Sequence, residues 1–192
     1  MPNTPFNYDL DFTAIDFRQR PDLYRIGKGE QGVLLVEPYK SEILPHWRFR
    51  TPEIAAVSAA KIYQLFLDYL ATEDLVGADM ARKFLQMGYT RSRRYANHKS
   101  GRKYRQNPQD EASLAAEKAR RKEALLPNEP DAEKAAAALC FQEKYQLAKA
   151  NPDYQRLLAG HREKYEQNPV PISPEAEWQI FQKRRQGRRK ED

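Results

Sequence analysis

Arg25–Lys40 reads RIGKGEQGVLLVEPYK: three glycines, then the apolar run Val33–Val36, then Pro38. An apolar run entered from a glycine cluster is a strand signature. A proline, with no N–H to give a ladder, closes such a strand or confines it to an edge. The expected element is a strand at Val33–Val36, with Leu23–Ile26 as the other arm of a hairpin and Trp47–Phe49 available to pair as a third strand. The fold expected on this basis is α+β and mainly α-helical, with a small N-terminal antiparallel sheet on a helical core and extended C-terminal helices.

The same stretch fits G-x-G-x-x-G at Gly27, Gly29 and Gly32. A dinucleotide-binding fold needs a strand before that pattern and a helix after it, whereas here a strand-like run follows. The order is that of the phosphate-covering hairpin of protein kinases, yet no H-R-D or D-F-G follows. Turns needing positive φ account for the glycines, and they leave Lys28 at a loop tip within reach of a phosphate.

Upstream, Phe6, Tyr8, Phe12 and Phe17 are expected to pack an extended arm. Downstream, Thr51-Pro52-Glu53 combines a capping hydroxyl, a proline at the first helical position and an acid in the first turn, so a core helix is expected to about Leu70. Its apolar stripe is Ile54, Val57, Ile62, Leu65, Phe66 and Tyr69. A second helix is expected over Gly77–Met87, ended by Gly88, and a third from Thr90 to the Ser100-Gly101 break. After Asn107-Pro108 large apolar residues thin out and Ala, Glu, Lys and Arg dominate. Helices are expected at Asp110–Leu125, Asp131–Ala150, Pro152–Gln167 and Pro174–Arg185, then a charged tail. The organisation expected is a core over 1–107 carrying the basic block, wrapped by a helical extension over 108–192.

Gly88–Arg105, GYTRSRRYANHKSGRKYR, carries the functional signal: seven Lys/Arg and one His interleaved with three tyrosines and no carboxylate. Such a block repels itself unless an anion lies across it. On a helix from Thr90, Arg91, Arg94 and His98 share a face, the Ser100-Gly101 turn offers N–H donors, and Tyr95 or Tyr104 can stack on a base or anchor the helix. Lys28, Arg91, Arg94, Tyr95, His98, Lys99, Arg102 and Lys103 are therefore the candidate contacts to nucleic acid or a phosphorylated ligand. The plainer explanation is an ion-pair network with Glu37, Glu42, Glu73, Asp74 and Asp79.

An alternative is an enzyme acting on a nucleotide, phosphorylated small molecule or nucleic acid, in a pocket between the glycine hairpin and the basic block. Its catalytic candidates are Glu37, Lys40, His46 and His98. Glu37 and Glu42 around Lys40 make the general kind of cluster that holds Mg²⁺ in nucleases, although an ordinary surface pair explains them as well. Three scattered histidines and one cysteine, Cys140, offer no metal site and no internal disulfide, and no cofactor is expected. Net charge +6 and a sequence pI near 9.3 favour polyanionic partners. No uncharged apolar run reaches the roughly 20 residues of a membrane span, and the start lacks signal-peptide features, so a cytoplasmic protein without a membrane partner is expected.

Together, VLLVEPYKSEILPHWRF, ARKFLQMGYTRSRRYANHKSGRKY and the RIGKGEQG loop resemble a family described as a domain of unknown function, number 4385, over about Phe6–Tyr154. The resemblance implies a single small intracellular protein and brings no activity, cofactor or catalytic residue with it.

Overall fold

The computed structural model describes residues 6–166 together with Trp178, Gln179 and Gln182. Apart from those three residues, the expected helix at Pro174–Arg185 and the charged tail lie outside the described residues. Among residues 6–166 six α-helices follow in order: α1 Tyr39–Ile43, α2 Pro52–Ala71, α3 Leu75–Asn97, α4 Leu114–Glu123, α5 Ala132–Ala150 and α6 Pro152–Tyr165. Short 3-10 turns occupy Pro21–Leu23, Leu44–His46 and Pro108–Asp110. Side-chain caps start the long helices. Thr51 accepts from Ile54 N, Asp74 from Gly77 N, Ser113 from Ala116 N, Asp131 from Lys134 N and Asn151 from Tyr154 N.

The expected antiparallel sheet does not form: among the described residues the fold is all-α, with one isolated bridge between Tyr104 and Leu125. The reason lies in local hydrogen bonding of Gly32–Lys40. Val33 N donates to Glu30 O (3.2 Å), Leu35 N and Val36 N to Gly32 O (2.9 and 3.2 Å), and Lys40 N to Val36 O (2.9 Å). Donors satisfied three or four residues away are not free for a ladder. Burial has the same period: Val33, Val36 and Tyr39 are buried while Leu34 is 46% exposed, a spacing of three where a strand would show two. Gly32 has φ 81°, and a Cβ there would lie 2.3 Å from Phe6 Cζ. That contact docks the amino-terminal arm, whose rings Phe6, Phe12, Phe17 and Tyr24 follow one another at centroid distances of 5.7, 5.6 and 6.4 Å.

α3 packs against both α2 and α5, and α2 against α5, so these three helices form the centre of the molecule. The two helices expected on either side of Gly88 are one, 23 residues long. Gly88 is not a terminator. A Cβ on it would lie 2.3 Å from Phe141 Cδ1, so its missing side chain is the space that Phe141 of α5 occupies. The helix stops instead at His98, where the strand-like segment before α5 crosses its end: Glu129 N donates to Asn97 O (2.7 Å) and Asp131 N to Ala96 O (2.8 Å). Two of the four orphan carbonyls of a helix end are thereby satisfied.

α2 buries Ile62, Phe66 and Tyr69, but in its first turns Ala55, Ser58 and Ala59 face inward, while Ile54 and Val57 are exposed (42% and 73%). Small residues are wanted there because α5 passes close by, with Cys140 Sγ 3.8 Å from Pro52 O. By length and composition α2 is apolar enough to cross a membrane; in this fold it is a core helix with one face packed on α3 and α5.

α6 closes the opposite side with Tyr154, Leu158 and His161 buried. His161 Nε2 donates to Tyr24 O (3.1 Å). Burial pushes its pKa down against the favourable Tyr24 carbonyl and Glu166 carboxylate, with Arg25 adding to the depression. A histidine whose folded pKa lies below its unfolded value of about 6.5 binds fewer protons folded than unfolded, so stability is lost as pH falls through that value. The thermal midpoint of wild type is expected to fall more steeply than that of His161→Gln between about pH 7 and pH 5. Parallel profiles for the two proteins would show that His161 does not titrate in folding.

Candidate phosphate-binding surface

The basic block occupies the last two turns of α3 and the turn that follows. Ser92 and Ala96 face the core, which leaves Arg91, Arg93, Arg94 and Tyr95 on the exposed side, and Lys99, Arg102, Lys103 and Arg105 continue it. Cations gathered at a helix C-terminus are favoured by the helix dipole, which offsets part of their mutual repulsion. His98 does not share their face. It is the C-cap, with extended backbone, 6% exposed, and its Nδ1 lies 3.2 Å from Pro127 O. Tyr95 anchors the element: its ring is 6.1 Å from that of Phe49 and covers Gly101.

The ion-pair explanation for these arginines fails on partners. Among the described residues none of Arg91, Arg93, Arg94, Lys99, Arg102, Lys103 and Arg105 makes an ion pair. The acids that would have served are engaged elsewhere. Glu37 holds Lys40 at 2.5 Å, Glu42 holds Arg18 at 2.8 Å, and Glu73 holds Arg156 at 3.1 Å. Asp74 accepts from Tyr39 Oη at 2.7 Å, and Asp79 is enclosed by Arg82 and Lys83.

Two concavities lie at the block. One, of about 360 Å³, is lined by Arg94, Arg102, Lys103, Tyr104, Asn107, Gln109 and Arg121, with no carboxylate in its lining. The other, of about 280 Å³, lies between Lys99, Arg102 and Pro127 and includes His98 and Glu129. They meet at Arg102. Arg121 is aimed by Glu117, to which it donates from Nη2 at 2.5 Å and from Nε at 3.0 Å. Its guanidinium then sits 6.0 Å from the Tyr104 ring centre. Glu117 also accepts from Trp178 Nε1. Of the backbone donors at the turn, Gly101 N is taken by His98 O (2.7 Å) and Arg102 N by Ser100 Oγ (3.2 Å).

The four catalytic candidates are not brought together. Glu37 and Lys40 pair beside α1, whose Tyr39 bonds Asp74 at the start of α3, whereas His98 caps the far end of that helix. At about 1.5 Å per residue the 23 residues between put roughly 35 Å between the two ends. His46 is exposed in a 3-10 turn, and its carbonyl accepts from Ser58 Oγ (2.6 Å). The glycine loop does approach α3, with Glu30 Oε1 accepting from Thr90 Oγ1 (2.6 Å). Lys28 is exposed on that loop, but neither basic concavity is lined by it. Among the described residues no group of three His, Cys, Asp or Glu is placed to hold a metal ion.

The feature that sequence reading missed is buried. Asp79 is fully enclosed and accepts from Tyr154 Oη (2.6 Å), Arg82 Nε (2.8 Å) and Tyr24 Oη. Lys83 Nζ lies 3.3 Å away and donates to Tyr24 Oη and Gln31 O, both at 2.8 Å. Burial opposes ionisation of Asp79, but Arg82 and Lys83 outweigh it and hold the carboxyl well below its usual range. The spacing D-x-x-R-K, with charges at i, i+3 and i+4, was the available signal. It does not say that both cations turn inward.

A third and larger concavity, about 980 Å³, runs between the α2–α3 turn and α6. Acids and bases pair across it, Glu73 with Arg156 and Asp74 with Arg18 at 3.6 Å, so it lacks the unbalanced charge of the basic block.

The chain belongs to the family described as Domain of unknown function (DUF4385), whose model matches residues 7–164. That span includes the buried cluster, the basic block and both of its concavities. No curated protein and no solved structure matches the chain.

Proposed function

We propose that this DUF4385 protein is a non-enzymatic binder of nucleic acid, gripping the phosphate backbone with the exposed end of α3 and the turn beyond it. The observation that carries the reading is the set of exposed cations that make no ion pair among the described residues, while Glu37, Glu42, Glu73, Asp74 and Asp79 are engaged elsewhere. Guanidinium groups form forked hydrogen bonds to phosphate, and cations spread along a helix and turn suit a repeating backbone. Arg91 and Arg93 lie outside the concavities, which gives the surface a breadth that a single small anion would not use.

Backbone binding is measured by its salt dependence. Log affinity for a DNA or RNA oligonucleotide, read by fluorescence anisotropy, is expected to fall linearly with log salt. Arg94→Ala should weaken binding several-fold and reduce the slope by about one. The substitution is on the surface, so the thermal midpoint should barely move. Affinity that ignores salt, or an unchanged slope in Arg94→Ala, would overturn the reading.

A further inference from the structure

We infer that the Arg94–Arg121 concavity takes an unpaired nucleotide, so that the protein prefers single-stranded over duplex nucleic acid; this rests on the nucleic-acid reading above. Three observations carry it. A space of about 360 Å³ is near the lower end of small-ligand sites, about 300–1,000 Å³, which suits one nucleotide and excludes a duplex. Its charge is one-sided, with four cationic side chains in the lining and the charge of Arg121 alone balanced by Glu117. Its lining includes an aromatic residue, Tyr104, that is only partly buried.

The ring decides between strands. In a duplex both faces of a base are covered by its neighbours, so reaching Tyr104 means extruding the base at a cost of a few kcal/mol. An unpaired base has no such cost, and base–aromatic stacking adds about 1–3 kcal/mol per base. Tyr104 is well supported for this use. Its backbone pairs with Leu125, Arg105 N donates to Ala124 O (2.8 Å) and Leu126 N to Lys103 O (3.0 Å). The ring carries Lys103 Nζ at 5.4 Å and Arg121 at 6.0 Å, so phosphate and base would be met within one concavity. The neighbouring concavity shares Arg102, and a flexible strand can bend from one to the other.

The test compares a fluorescent single-stranded oligonucleotide of about 20 nucleotides with its blunt duplex at matched salt. The expected result is at least about tenfold tighter binding of the single strand. Tyr104→Leu should weaken single-strand binding about five- to tenfold and leave duplex affinity unchanged, while Tyr104→Phe, which keeps the ring, retains wild-type selectivity. Thermal midpoints of both variants check that the turn still folds. Equal affinity for the two forms, or a Tyr104→Leu protein as selective as wild type, overturns this inference while leaving backbone binding standing. Failure to bind either form overturns the nucleic-acid reading itself.

Discussion

Asp79→Ala is expected to lower the unfolding free energy by about 3–5 kcal/mol, the range for removing one member of a buried charge group. The substitution strands Arg82, 8% exposed, and Lys83, fully enclosed, with no other carboxylate among the described residues at hydrogen-bond distance. It also leaves the hydroxyls of Tyr24 and Tyr154 without their acceptor. These groups come from the amino-terminal arm, α3 and α6, and Lys83 reaches Gln31 O in the glycine loop, so the loss is felt by the arm, the glycine loop and α6 together. Urea denaturation measures it. Asp79→Ala/Lys83→Met should recover much of the deficit, because the cost lies in the unpaired charge more than in the lost attraction. A loss below about 1 kcal/mol for Asp79→Ala would mean that the cluster is not what fastens the arm. Since its folded pKa is strongly depressed, the contribution of Asp79 is present above the unfolded value of about 3.9 and is lost only as pH falls below it.

Gly88→Val should cost about 2–4 kcal/mol by forcing α3 and α5 apart, at or beyond the upper part of the range for overpacked cores. The first atom added would already lie 2.3 Å from Phe141 Cδ1, and Phe141 is itself fully buried, with no open side to move into. The contrasting position is Gly160 in α6, where an added Cβ meets nothing within 4 Å. Gly160→Ala is expected to gain about 0.5–1 kcal/mol from helix propensity alone. The opposite signs, measured by denaturant midpoint, separate contact at Gly88 from the ordinary helical cost of glycine. If Gly88→Val were neutral, α5 would not be seated on α3 through this notch.

Local chemistry made several elements legible. Thr51-Pro52 and Asn151-Pro152 start α2 and α6 as expected, because a cap followed by proline acts within one turn and needs no partner. The exposed arginines of the basic block were legible for a related reason: a run without acids stays unpaired unless another part of the chain supplies them. Val33–Val36 misled because an apolar run says only that it is buried; the hydrogen bonds of Gly32–Lys40 made it turns rather than a strand. Gly88 misled because a helical glycine is equally a stop signal and a notch for a neighbouring side chain.

The amino-acid sequence by itself determined the starts of α2, α5 and α6, the aromatic arm and a basic element free of neighbouring carboxylates. All of these follow from interactions between residues a few positions apart. Only the tertiary structure decided that the described residues fold as all-α, that α3 runs unbroken through Gly88 and that Asp79 is buried with two cations. It also decided that Arg121, far along the chain, completes a concavity with Arg94, and that Glu37 and His98 stand at opposite ends of one helix. Apart from the local hydrogen bonds that turn Gly32–Lys40 away from a strand, each of these depends on a partner tens of residues away, and a spacing rule reaches no further than the next turn.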